Sequence, residues 1–535
     1  MKYRYLVLPA LFGALVAACS RPAHDPLATA LRAGKTGYRE ASVPAACYAK
    51  TTGGANACWT CHTIGVGLNR LVDVDLQSAY SFSETAKTNH WQNLFEDRRA
   101  AVASMGDDEI LAYVRQDNYA PLRAELARRA DYPGFVPDLD LQAGFDAQGF
   151  ARDRSGWRAL RYKPFPGSFW PTNGSAGDAF IRLPEAFRQD ATGHASTDVY
   201  RVNLAILEAA LATPSSRADG ALDRTVEPVS EALAGFDLDG DGTLGEATRI
   251  NTLPERYAGA ASALRVRRFL YPRGTELLHT VRYLDPERPE LLAARMKEVR
   301  YSRKVEEPDD WAIGRAYEHE ADEKDEGRLP IHGGAATVGL KNSFGWQLQG
   351  FIEDAEGRLR LQTEEEHRAC MGCHSGIGVT VDHTFAFPRK VPGAAGFRLQ
   401  DVRGIPDVPQ AGHADPETLV YFRRARGGDD FRGNTELLAR FFPGGRLDEA
   451  EVRRASAGGD RDLGHLILPS RERALLLDKA YRALVRSQRF DLGREALLEP
   501  ASNAHARIEE ASTGLEAMQR VYDDGRLQLD WGAAR

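Results

Sequence analysis

The chain has 535 residues, with 76 acidic against 69 basic side chains and a formal net charge of −7. That mild acidity excludes a nucleic-acid binder, which needs a basic face. The length exceeds what one hydrophobic core organises and predicts two or three domains.

At the N-terminus, Lys2 and Arg4 precede an apolar run from Leu6 to Ala18, too short to remain as a membrane-spanning helix. This is the pattern of an export signal, residues 1–18. It ends Val16-Ala17-Ala18-Cys19, which resembles a bacterial lipoprotein box. The resemblance implies cleavage before Cys19 and acylation of that residue. Ser20 rather than Asp follows, which in that family implies an anchor in the outer membrane, facing the periplasm. No later stretch approaches membrane-span length. Residues 19–45, small and polar, predict a tether.

Next comes Cys58-Trp59-Thr60-Cys61-His62, and far along the chain Cys370-Met371-Gly372-Cys373-His374 repeats the pattern. Each reads as a c-type haem attachment site. The thiols of Cys58 and Cys61, and of Cys370 and Cys373, add across the haem vinyl groups, and His62 and His374 become the proximal iron ligands. With only 6 Cys and 13 His in the chain, chance does not supply two such runs. A four-thiolate zinc site would bring its cysteine pairs together in sequence and gives no reason for the histidines. A dithiol redox site would need a thioredoxin-like βαβ setting. Cys47 stays outside both motifs and the anchor, either as a thiolate or redox group near the first haem or as an inert buried residue.

Residues 46–130 read as the first haem domain, whose last element is an acid-led helix over Asp107–Val114. Its candidate distal ligands are His90 and Met105, with neither of them as the third alternative. The middle region, 131–330, opens with the loop-like run Pro164-Phe165-Pro166-Gly167-Ser168-Phe169-Trp170-Pro171. A helix is predicted from Asp198 to Ala212, with Val199, Leu204, Leu207 and Leu211 on one side. Asp237-Leu238-Asp239-Gly240-Asp241-Gly242-Thr243 then matches the first half of an EF-hand loop (237–248). The EF-hand pattern assigns calcium to Asp237, Asp239, Asp241 and the Thr243 carbonyl; the alternative is a bare Asp-Gly turn. Thr248 occupies the place of the usual bidentate Glu, and Glu246 comes early. Residues 254–330 are charged and read as helical.

The second haem region spans 331–440. It contains Phe344, Trp346 and Phe351, a turn at 353–357, and Gly376 and Gly378, which keep the chain close to a porphyrin. Glu364, Glu365, Glu366 and His367 are acid–base candidates by proximity or a solvated helix start. His383 is too near His374 in sequence to reach the opposite face of the iron, which leaves His413, His465 and Met518 as distal candidates, or an open position on the iron. The segment 441–535 is helical, with Ser470 capping a helix that reaches about Gln488.

The expected fold is therefore mainly α: a loop-rich, multi-domain cytochrome c-type architecture with two haem-binding regions and little β. The first haem domain resembles a small class I cytochrome c. The two motifs with a calcium-type loop between them resemble the bacterial di-haem cytochrome c peroxidase group. That resemblance implies one haem reduced from outside, another that reacts with peroxide, and calcium bracing the interface. Two functions follow as expectations. One is periplasmic electron transfer to a redox protein through two covalent haems. The other is a peroxidase or oxidase that takes hydrogen peroxide or oxygen as its small-molecule oxidant.

Overall fold

The computed structural model describes residues 24–534, apart from 38, 52–54, 66, 72–73, 213–221, 427–430, 432, 457–461 and 515–526. Cys19 and Met518 lie outside the described residues.

An antiparallel sheet organises the chain, and this corrects the mainly α expectation. Its strands are β1 (Arg158–Leu160), β2 (Ala179–Arg182), β5 (Glu276–Leu284), β6 (Leu292–Lys304), β7 (Gly334–Ala335), β8 (Gly339–Lys341), β9 (Trp346–Glu353) and β10 (Leu359–Leu361). They run in the order β1-β2-β5-β6-β9-β8-β7, with β10 beside β9. A separate hairpin joins β3 (Arg224–Ser230) to β4 (Glu246–Ile250). One sheet thus takes strands from both 131–330 and 331–440.

The longest strand, β6, is hidden in the sequence because its charged residues are buried. On β6, Arg295, Lys297, Glu298 and Lys304 all lie inside the protein. Arg295 pairs with Glu353 at 2.9 Å, Arg494 with Glu298 at 2.8 Å, and Lys304 with Asp382. A strand covered on both faces shows no in–out alternation, and these charges are why 254–330 reads as charged and helical.

One face of the sheet packs Phe180, Leu278, Val299 and Phe351 against the helix Tyr119–Ala127, through Tyr119, Leu122 and Leu126. Register places His279 opposite Arg300, and Arg300 opposite Gly350. These lie on the other face, one residue out of step with Leu278 and Val299. The helices read from periodicity are present: Asp107–Val114, Thr197–Leu211 and Arg471–Ser487. Ser196 and Ser470 cap the last two by accepting from Val199 N and Arg473 N. The predicted tether is partly structured: Ala28–Ala33 is helical, with Leu27 and Ala30 buried beside the helix Tyr119–Ala127.

Candidate functional site: two matched Cys-x-x-Cys-His turns and a basic cavity

Both motifs close the same helical turn. His62 N–H donates to Cys58 O at 2.8 Å, and His374 N–H donates to Cys370 O at 3.0 Å. Cys61 and Cys373 make the tighter i−3 bonds, at 3.1 and 3.3 Å. In each turn the two cysteines stand at i and i+3 and the histidine at i+4, which sets all three side chains on one side. The first turn is capped by Asn56, whose side chain accepts from Cys58 N at 2.7 Å. The second is the end of a helix, Glu364–Met371, that begins with a capping box between Thr363 and Glu366.

The fold brings the two turns together. Asn69 Nδ2 donates to Ile377 O at 2.7 Å. Gly378 lies so near the first turn that a Cβ would sit 2.0 Å from Thr63 O, so only glycine fits there. Cys61 and Cys370 pack on the same core, beside Ile377 and Phe385.

The second motif is set for ligation. His374 Nδ1 lies 2.9 Å from His383 O; with its proton there, Nε2 is the free lone pair. Burial, with the Arg300 charge nearby, pushes His374 down to about 4, so it is neutral. Burial raises both thiols, Cys373 to about 11. Asp382 and His383 have φ of 48° and 56°, a costly conformation for non-glycine residues. Asp382 holds it by accepting from Lys304 and from Tyr271 N at 2.8 Å.

Arg300 and Arg494, neighbours of Cys370, reach into a cavity of about 520 Å³, within the range of cofactor sites. Phe169, Trp170, Arg300, Tyr481 and Arg494 line it. Arg300 and Arg494 share Glu298, at 3.0 and 2.8 Å, and both act on the Cys370 thiol. Paired thiols, a neutral imidazole with its far nitrogen anchored, an aromatic wall and guanidinium groups form a donor set that fits a covalent haem and its carboxylates.

The remaining candidates fall elsewhere or in other roles. His90 lies on Trp91 at 4.0 Å between ring centres, and burial depresses it to about 4. Met105 is buried where the helix Arg99–Ala103 turns into Asp107–Val114. His465 caps a short helix with Asp462 and is half exposed. His413 N–H closes a turn on Gln410 O. His383 serves His374 through its carbonyl, while its ring stacks on Phe344 at 3.9 Å. His367 is a brace: Gly350 N donates to its Nε2 at 2.9 Å and its Nδ1 bonds Thr363 O at 2.8 Å. Glu366 is bound by Arg360 at 2.8 Å. Cys47 packs in the cluster with Ala369 of the second motif's helix.

In the calcium-type loop, carboxylate oxygens of Glu231, Asp237, Asp239 and Asp241 all lie within 4.8 Å of one another. Glu231 was invisible to motif reading, because it precedes the loop, on the short helix Glu231–Ala234. It is buried and accepts from Leu238 N at 2.6 Å and Gly245 N at 2.9 Å. Glu246 and Thr248 are exposed on β4.

Residues 34–415 match the model of a family whose description reads "-like lipoprotein". Over 517 residues the chain is 33% identical to an uncharacterized lipoprotein of Aquifex aeolicus (strain VF5), with 85% of each chain covered. No solved structure matches. These matches and the β-sheet core overturn the resemblance to di-haem cytochromes of the peroxidase group: the shared lineage is with lipoproteins, and the scaffold is not a string of small helical domains. Among the described residues, no helix is long and apolar enough to cross a membrane.

Proposed function

The chain belongs to this lipoprotein family, and from that premise we propose that it is a lipid-anchored electron-transfer protein carrying a covalent haem c on each Cys-x-x-Cys-His turn. The observation that carries the reading is the shared conformation of the two turns, each closed by the histidine N–H on the first cysteine's carbonyl. Haem supplies, when bound, an iron that changes oxidation state by one electron.

The chain's own residues do the rest. Cys58 with Cys61, and Cys370 with Cys373, fix the position of each group through thioether bonds. His62 and His374 provide imidazole nitrogen. The His383 carbonyl holds the His374 Nδ1 proton, which orients the ring and raises its basicity. Contact between Asn69 and Ile377, and between Thr63 and Gly378, shortens the path from one turn to the other. Acylated Cys19 anchors the protein at the outer membrane, facing the periplasm, where a soluble redox protein is the exchange partner. Calcium bound by Glu231, Asp237, Asp239 and Asp241 ties the β3–β4 hairpin; crowding of these carboxylates, after burial, already raises Asp239.

The test is the haem content of protein matured in an exporting host with haem-attachment machinery. Two haems per chain, retained in acidified acetone, are expected, and one for Cys58→Ser/Cys61→Ser or Cys370→Ser/Cys373→Ser. Colourless wild-type protein, or pigment extracted by the acid, refutes the reading.

A further inference from the structure

The cavity-facing side of the sheet holds an imidazole that the motif reading did not reach. His279 lies on β5 directly opposite Arg300 of β6, and Val281, two residues on and on the same face, lines the cavity with Arg300. The His279 ring meets the Phe169 ring edge-on at 4.5 Å between centres. Phe169 lines the cavity with φ 53°, a conformation a bulky residue adopts only when its surroundings impose it. Gly177 is held to glycine by the Thr280 carbonyl, 1.7 Å from where a Cβ would sit, and that same position is 3.3 Å from His279 Nε2.

His279 Nε2 is sealed from solvent and has no hydrogen-bond partner among the described residues. Such a buried polar atom costs free energy unless something fills its bonding capacity. Arg300 and His374 are both neighbours of His279. His383 also has ring nitrogens without partners, but its carbonyl grips His374 Nδ1, which places it on the proximal side. His279 comes instead from β5 of the sheet, opposite Arg300, which lines the cavity.

We propose that His279 Nε2 is the second axial ligand of the group held at Cys370, Cys373 and His374, completing a bis-histidine iron against the sheet. This rests on the haem reading above and deepens it. A six-coordinate iron with two imidazoles passes electrons and gives peroxide no open position, so the assignment makes this centre a relay. Arg300, beside His279 and bound to Glu298, stands as a charge partner for an acidic edge of the same group.

The experiment is low-temperature electron paramagnetic resonance and near-infrared magnetic circular dichroism on ferric holo-protein, wild type against His279→Ala and His279→Met, with haem content measured on each. Wild type is expected to show at least one bis-histidine low-spin iron. His279→Ala should retain two haems while one low-spin signal is replaced by a high-spin one. His279→Met should restore low spin with a new thioether-to-iron charge-transfer band. Two haems with unchanged low-spin signals in His279→Ala overturn the assignment and leave haem attachment standing. Wild-type protein with fewer than two haems overturns the attachment reading instead. If neither variant accumulates, wild type decides: no bis-histidine signature in the near infrared refutes the proposal.

Discussion

Replacing Asp382 with alanine tests how the strained loop under His374 is held. Asp382 and Lys304 are both fully buried and paired. Burial raises the Asp382 carboxyl to about 6, with the Lys304 charge opposing that rise. Removing the carboxylate leaves an ammonium inside the protein with its partner gone, which costs ~3–5 kcal/mol. Tyr271 N also loses its acceptor. Against a total stability of ~5–15 kcal/mol, the loss is large. With a urea dependence of ~3 kcal/mol per molar, the unfolding midpoint falls by about 1 M or more. Unfolding is followed by tryptophan fluorescence and circular dichroism. The control is the double variant Lys304→Met/Asp382→Leu, which removes both charges and is expected to recover most of the loss. A shift below ~0.5 kcal/mol for Asp382→Ala, or a double variant as unstable as the single one, refutes the claim that this pair fixes the loop.

Acid stability should follow Glu417. Burial alone would raise its carboxyl, but the charges of Arg389 and Lys163 overcome this and hold it at about 2, against the ordinary 4.5. A depressed acid stabilises the fold above its unfolded value and loses that contribution as pH falls through its folded one. Roughly 3 kcal/mol should therefore disappear between about pH 4.5 and 2. Melting temperature against pH measures it, and Glu417→Gln should flatten that part of the curve. Calcium alone, at about a hundred times its dissociation constant, should stabilise the protein by ~2.7 kcal/mol, and Asp239→Asn should abolish the shift. Equal melting of wild type with calcium and with chelator would sink the calcium site. Cys19→Ala should move the protein from the membrane fraction to the soluble one after cell breakage; retention on membranes contradicts acylation at that residue.

Local patterns carried a definite share of this protein. The helix Thr197–Leu211 was legible because its apolar residues recur every three or four positions and stay buried in the fold. The Cys-x-x-Cys-His turns were legible because the pattern spans five adjacent residues and each turn closes within it. Glu231 lay outside the calcium-loop window, and its part in the cluster appears only once Leu238 N and Gly245 N fold back onto it.

What the amino-acid order determined was short-range: the lipoprotein pattern at the N-terminus, two Cys-x-x-Cys-His turns and three helices, all set by residues within a few turns of one another. What tertiary structure alone decided was the sheet, the meeting of the two motifs and the place of His279. Strand β6 conceals its nature because its charges are satisfied by Glu353, Asp382 and Arg494 from distant segments. Burial made those charges partners, and no local periodicity records which partner a buried charge will find.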